Sequence, residues 1–233
     1  MESLFLKSYS KVNVGLQIMD KRPDSFHNIN TIFQELDFYD CIELEKKDFG
    51  CSFFSNVGWL KNDNSNLCVK AWEQFSHKYK VGGISIKLDK QIPPGSGLGG
   101  GSSNAATIIK GLCKLYKVEP NYEELVSISI NLGADVSFFI NGGLQKAKGI
   151  GDNLTSLPGC IDGVYLLVIP NIKINTEWAY KNCKKILDNT KEKLNFAGFL
   201  KKDEIPFEFF ENDFESIVVP AYPEIAKIKE QLR

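Results

Sequence analysis

One stretch constrains this chain more than any other: Pro93-Pro94-Gly95-Ser96-Gly97-Leu98-Gly99-Gly100-Gly101-Ser102-Ser103-Asn104-Ala105-Ala106. Five glycines fall between residues 95 and 101, so the backbone there can take positive φ and leave room for a ligand beside its N–H groups. Before it, Ile84, Ile86 and Leu88 alternate as in a strand. After it, Ala105, Ile108, Ile109, Leu112, Cys113 and Tyr116 recur at helical spacing. Strand, glycine loop and helix together make an anion-binding arrangement, because the orphan N–H groups and the positive dipole end of the helix face the loop. Gly/Ser richness alone also describes a flexible linker. A linker, however, does not run through Ser-Ser-Asn-Ala-Ala straight into an amphipathic helix.

An anion bound by this chain has to be caught locally. Lys and Arg number 28 against 29 Asp and Glu, a net charge of −1, which argues against charge-driven binding of nucleic acid or an anionic membrane. The 233 residues allow one large domain or two small ones sharing a core. No run of about 18 apolar residues occurs, and Met1-Glu2-Ser3-Leu4-Phe5 lacks the basic start of a signal peptide. A cytoplasmic location is the expectation. Six cysteines without a Cys-x-x-Cys pair, and only two histidines, speak against a zinc site and for free, mostly buried thiols.

Alternation predicts a long β segment over residues 3–19, then β-like runs at 29–38, 41–45 and 51–54. Asp63-Asn64-Ser65 offers N-caps for a helix reaching Tyr79 whose Leu67, Ala71, Trp72, Phe75 and Tyr79 share one face, leaving His77 solvated. Pro120-Asn121 opens another helix, which closes near Gly133. The continuous apolar run 164–169 predicts an interior strand. Thr176 is a candidate cap for a helix carrying Trp178 and Tyr180, residues 181–202 a basic, solvated helical stretch, and Tyr222-Pro223 a last helix start. Two charged residues stay ambiguous on spacing alone. Lys11 reads first as a solvated strand lysine, and Asp135, between Gly133 and an apolar Val-x-Phe-Phe run, equally as a helix cap or as a carboxylate with a task.

The glycine stretch resembles the loop of the GHMP kinases, Pro-x-Gly-x-Gly-Leu-Gly-(Ser/Gly)-(Gly/Ser)-Ser. Further motifs resemble, in order, the branch of that family that acts on a cytidine diphosphate methylerythritol. Ser10-Lys11-Val12-Asn13 is similar to its Ala-Lys-x-Asn and Arg22-Pro23-Asp24-Ser25-Phe26-His27 to its Arg-x-Asp-Gly-Tyr-His. Phe33-Gln34-Glu35-Leu36-Asp37 follows Phe-Gln-x-Leu-Asp, Gly133-Ala134-Asp135-Val136-Ser137-Phe138-Phe139 follows Gly-Ala-Asp-Val-Pro-Phe-Phe, and Asn212-Asp213-Phe214-Glu215 follows Asn-Asp-Leu-Glu.

The resemblance implies an α+β, two-lobed fold. Residues 1–155 would form an ATP-binding lobe like the second domain of ribosomal protein S5, and residues 156–233 a smaller ferredoxin-like lobe lacking its last strands. The implied activity is transfer of phosphate from ATP, with Mg²⁺, to the 2-hydroxyl of a small-molecule substrate, cytidine diphosphate methylerythritol, in isoprenoid biosynthesis. The alternatives are another GHMP small-molecule kinase, or a nucleotide-binding form whose turnover is impaired because the family's second Gly/Ser-rich loop has no counterpart before Arg233. Asp135 is implied to accept the hydroxyl proton, and Lys11 to hold that carboxylate ionised and orient the alcohol. Pro93, Pro94, Gly95, Ser96, Gly97, Leu98, Gly99, Gly100, Gly101, Ser102 and Ser103 would bind ATP, with Ser102 or Ser103 reaching Mg²⁺. Phe26 and Tyr180 would stack the cytosine and His27 read its edge, with Asn13 and Thr176 lining the same site. Ser25 and Phe26 stand where the family has Gly and Tyr. No nucleic-acid or membrane partner is expected, and the oligomeric expectation is a monomer or weak homodimer.

Overall fold

The computed structural model describes residues 2–183 and 207–232, which fall into two compact units. One comprises Met1–Val12 and Glu35–Gly142, the other Asn13–Gln34 and Gly143–Arg233. The first two strands, β1 (Ser3–Lys21) and β2 (His27–Lys47), each contribute to both units.

β2 is one continuous strand in place of the two separate runs expected at 29–38 and 41–45. Asp40 is fully buried, yet its carboxylate accepts the N–H groups of Gln91 at 2.7 Å and Ile92 at 2.8 Å and pairs with Lys90. A buried charge with that many partners does not break a strand.

In the first unit, β3 (Cys51–Ser55) lies parallel to β4 (Gly83–Asp89), and β4 pairs antiparallel with the second half of β2, Leu44 opposite Ile86 and Ile42 opposite Leu88. These four side chains are buried, as the period-2 pattern requires. Helix α1 (Leu67–Tyr79) starts later than Asp63-Asn64-Ser65 suggested. Its N-cap is Asn66, which accepts the Cys68 N–H at 2.9 Å, whereas Asp63 closes a turn by accepting the Ser65 N–H at 2.8 Å. Helix α2 (Gly100–Tyr116) begins within the glycine run itself and packs on α1. Helix α3 (Tyr122–Ile130) carries a full capping box between Asn121 and Glu124. Helix α4 (Val136–Asn141) buries Val136, Phe138 and Phe139 and packs on α2 and α3.

In the second unit, the first half of β2 pairs antiparallel with β5 (Leu144–Lys148), which pairs with β6 (Asn153–Ser156). Helix α5 (Thr176–Asn182) is capped by Asn175, which accepts the Trp178 N–H at 2.9 Å, so Thr176 is the first helical residue and not the cap. Asn212-Asp213 latches onto β1: Asp213 accepts the Ile18 N–H at 2.7 Å on its carboxylate and donates its own N–H to the Leu16 carbonyl at 2.9 Å. Helices α6 (Glu215–Ala221) and α7 (Pro223–Gln231) follow, the latter with proline at its first position as expected.

The interior strand expected at 164–169 is not formed. No ladder pairs with it among the described residues, and Val164 and Leu166 are 103% and 77% exposed. An apolar run states a preference for burial, but a strand exists only where a neighbour supplies hydrogen bonds. The basic stretch 181–202 lies outside the described residues from position 184 on. Among the described residues no helix is long and apolar enough to cross a membrane. All six cysteines are free thiols, but only Cys68 and Cys183 are buried, fewer than expected. Burial pushes the Cys68 thiol up to about 12, which keeps it protonated and unreactive at neutral pH.

Candidate active site

The glycine loop owes its shape to three residues with positive φ at alternate positions: Gly95 (71°), Gly97 (76°) and Gly99 (71°). A side chain at any of them would strain the backbone. Ser96 steadies the turn by donating its hydroxyl to the Pro93 carbonyl at 2.8 Å. Gly99 is the N-cap of α2 and has no side chain with which to cap it. The first-turn N–H groups of a 17-residue helix are thereby kept for whatever enters the loop.

Lys11 is tied to this loop through its backbone, its N–H donating to the Leu98 carbonyl at 3.0 Å. Its side chain passes Gly99 closely: a β-carbon placed on Gly99 would stand 3.2 Å from Lys11 Cγ and 2.8 Å from the ring of Phe139. Beyond Gly99 the Lys11 ammonium lies 3.5 Å from a carboxylate oxygen of Asp135. Lys11 is 7% exposed and Asp135 34%, so the carboxylate can be reached while its cation is sheltered. Asp135 occupies the N-cap position of α4 but makes no capping hydrogen bond there. The helix-cap reading of its sequence position is therefore not realised, and the carboxylate is paired with Lys11 instead. The structure brings Lys11, Asp135 and the loop into one cluster within the first unit.

The remaining expected residues belong to the second unit. His27 is buried, and its ring lies flat against Tyr180, centroids 5.3 Å apart and planes within 10°. Tyr180 also meets Phe214 edge-on at 4.9 Å. Phe26 is 59% exposed, at the tip of a turn in which Asp24 accepts its N–H at 3.2 Å and forms an ion pair with Arg22. Ser25, where the family pattern has Gly, sits at φ 71° within that turn. The left-handed backbone is therefore kept despite the side chain. Asn13 donates to the Thr31 hydroxyl at 3.3 Å, and Thr176 is exposed at the start of α5. Burial, reinforced by the charge of Lys21 and opposed by Asp20, holds the His27 imidazole below its usual 6.5, so it is neutral at pH 7.

Sequence reasoning missed a polar network under the loop. Lys90 and Asp40 form a buried ion pair. Asn104 donates to Asp40 at 2.8 Å and to the Ser8 hydroxyl at 2.9 Å, and Ser8 donates to Ser103 Oγ at 2.8 Å. Ser103 is thus committed inward, which leaves Ser102 as the half-buried hydroxyl of the pair. The available signal was a pair of charges interrupting apolar runs, Asp40 in Phe38-Tyr39-Asp40-Cys41-Ile42 and Lys90 directly before Gln91-Ile92-Pro93. A second missed lysine, Lys110 on α2, donates to the Phe139 carbonyl at 2.8 Å. Burial lowers its ammonium pKa, partly opposed by Glu35.

Similarity to known proteins identifies the family. The family described as GHMP kinases N terminal domain matches residues 66–143. The 4-diphosphocytidyl-2-C-methyl-D-erythritol kinase of Pelodictyon phaeoclathratiforme is 40% identical over 98% of this chain and 81% of its own length. A crystal structure of 4-(cytidine 5'-diphospho)-2C-methyl-D-erythritol kinase superposes with a TM-score of 0.81 at 27% identity, covering 99% of this chain and 82% of that one. The Methanococcus jannaschii mevalonate kinase, at 17% identity, a TM-score of 0.52 and coverage of 68% of this chain and 56% of its own, shares the fold alone. By overall similarity, by fold and by the loop around which its first unit is built, the chain belongs to the 4-diphosphocytidyl-2-C-methyl-D-erythritol kinases of the GHMP family.

Proposed function

We propose that this chain transfers the γ-phosphate of ATP to the 2-hydroxyl of 4-diphosphocytidyl-2-C-methyl-D-erythritol. The observation that carries the reading is the 3.5 Å pairing of Lys11 with an uncapped, accessible Asp135 beside the glycine loop. Phosphoryl transfer asks a protein for positioning and charge stabilisation more than for covalent help. In this reading the loop N–H groups receive the polyphosphate. Asp135 accepts the proton of the attacking hydroxyl while Lys11, paired with the carboxylate, holds the alcohol oxygen toward the phosphorus.

Mg²⁺ would neutralise charge on the ATP phosphates. Such an ion keeps several waters and takes only one or two protein ligands, and the residues fit that demand. No cluster of three His, Cys, Asp or Glu exists among the described residues, whereas Ser102 presents a hydroxyl in the first turn of α2. Ser102 is the residue we assign to it.

Cytosine recognition falls to the second unit, where Tyr180 and Phe26 offer aromatic surface and neutral His27 a polar edge. Stacking is tolerant of any base, so the choice of cytosine rests on hydrogen bonds from His27 and neighbours such as Asn13 and Thr176. Since Tyr180 already lies on His27, a base would share or displace that stack.

The deciding experiment is Asp135→Asn, assayed by ADP release with and without the cytidyl substrate. Turnover should fall by about 10²-fold or more, the scale of a lost general base, with ATP affinity essentially unchanged. A variant that turns over at a near-normal rate removes Asp135 from the chemistry.

A further inference from the structure

We propose that Asp40, Lys90 and Asn104 are positioning residues for the phosphate loop. They would lock the strand that enters the loop to the helix that leaves it, so that the N–H groups between them are held in register for a polyphosphate. The proposal rests on reading the loop as the ATP site.

The argument begins with a lysine in an unfavourable place. The Lys90 ammonium is 5% exposed and lies 2.8 Å from where a β-carbon on Gly100 would stand. Gly100 opens α2, and a cation at a helix N-terminus opposes the dipole. If the lysine served only to attract phosphate, it would be expected to project into the loop without a carboxylate beside it. Instead Asp40 binds it and neutralises its charge.

The same carboxylate spans the loop. One oxygen receives the backbone N–H groups of Gln91 and Ile92, at 2.7 and 2.8 Å, on the entry side. The other receives Lys90 and, at 2.8 Å, the side chain of Asn104 in the first turns of α2. Asn104 continues the chain to Ser8 on β1, and Ser8 to Ser103. Residues 91–92 and 104 are therefore fixed to one buried anion, with Ser103 joined to it through Ser8 and Asn104, and the glycines between them span two anchored ends. A flexible loop with anchored ends has less freedom to lose when it closes on a ligand.

Gly100 gains a second explanation. Its lack of a side chain makes room for Lys90 Nζ and for Ile92 Cγ2, which would stand 2.9 Å from a β-carbon there.

The test compares affinities for ATP, ADP and adenosine, measured by calorimetry or by displacement of a fluorescent nucleotide. The variants are Asn104→Ala and the charge-neutral pair Asp40→Asn with Lys90→Met, with Leu115→Ala as a destabilised core control far along α2. Expected is a loss of about tenfold or more in ATP affinity, with adenosine within about twofold of wild type, so that the gain conferred by the phosphates shrinks. Leu115→Ala should lower thermal stability and leave that gain intact. Equal losses for ATP and adenosine, or no loss in either network variant, overturn the proposal. Should Asp40→Asn/Lys90→Met fail to fold, Asn104→Ala, which keeps the ion pair, decides alone. A wild-type protein that binds ATP no better than adenosine refutes the ATP-site reading instead, which separates the two failures.

Discussion

Three alanine substitutions in the glycine loop should behave differently although all three replace the same residue type within five positions. Gly97 has φ 76° and open space around it, with nothing within 4 Å of a β-carbon. Gly97→Ala should therefore cost only the left-handed backbone strain, about 1–2 kcal/mol. Gly99 has the same backbone problem, but its methyl would enter at 2.8 and 2.9 Å from the Phe139 ring and 3.2 Å from Lys11 Cγ. Overpacking of that kind adds about 1–3 kcal/mol, bringing Gly99→Ala to about 3 kcal/mol. Gly101 lies within α2, and its nearest neighbour would be Leu67 Cδ1 at 3.7 Å. Gly101→Ala should stabilise by up to about 1 kcal/mol through helix propensity. In a chain of this size each kcal/mol moves the melting temperature by about 2–4 °C. Thermal and urea unfolding without nucleotide resolve the order Gly101→Ala above wild type, then Gly97→Ala, then Gly99→Ala. Equal destabilisation by the Gly97 and Gly99 substitutions would falsify the claim that Phe139 and Lys11 press on the loop.

Two further outcomes are expected. The hydroxyl of Ser137, buried on α4 with no hydrogen-bond partner among the described residues, incurs a desolvation cost of about 1–3 kcal/mol; Ser137→Ala should raise the unfolding midpoint, and a lower midpoint would show that the hydroxyl is satisfied. Because the folded pKa of His27 is depressed, the unfolded chain takes up this proton first as pH falls. The His27 contribution to stability is thus fully present above about 6.5 and declines below it. Proton NMR should find His27 titrating below 6.5, and His27→Gln should flatten the fall in stability between pH 7 and 5.5; titration above 6.5 contradicts the assigned cause.

Much of the site was legible because glycine and periodicity are local signals. The strand at Ile84, Ile86 and Leu88, the loop and the helix after it occur where alternation and spacing put them. What each glycine is for was not legible. Gly95, Gly97 and Gly99 answer to backbone conformation, Gly100 to Lys90 and Ile92, and Gly101 to neither, distinctions that depend on residues far away in sequence. The same holds for Asp40, a charge among strand residues whose partner Lys90 stands 50 residues downstream. It also holds for the run at 164–169, whose apolar composition could not say whether a pairing strand would be present. Lys11 and Asp135, ambiguous by spacing, needed 3.5 Å to become a pair.

The sharing of β1 and β2 between the two units has a consequence for how the protein is made. Neither unit is a continuous piece of chain, and residues 13–34 belong with residues that follow position 142. On a ribosome adding about 5–20 residues per second, the 108 residues from 35 to 142 place roughly 5–20 s between synthesis of these strand segments and the arrival of β5, which pairs with one of them. For that interval Thr31–Gln34 is a strand edge without its β5 neighbour, its backbone N–H and C=O groups left without their ladder partners. The β2–β5 ladder therefore forms only after the whole of residues 35–142 has been made.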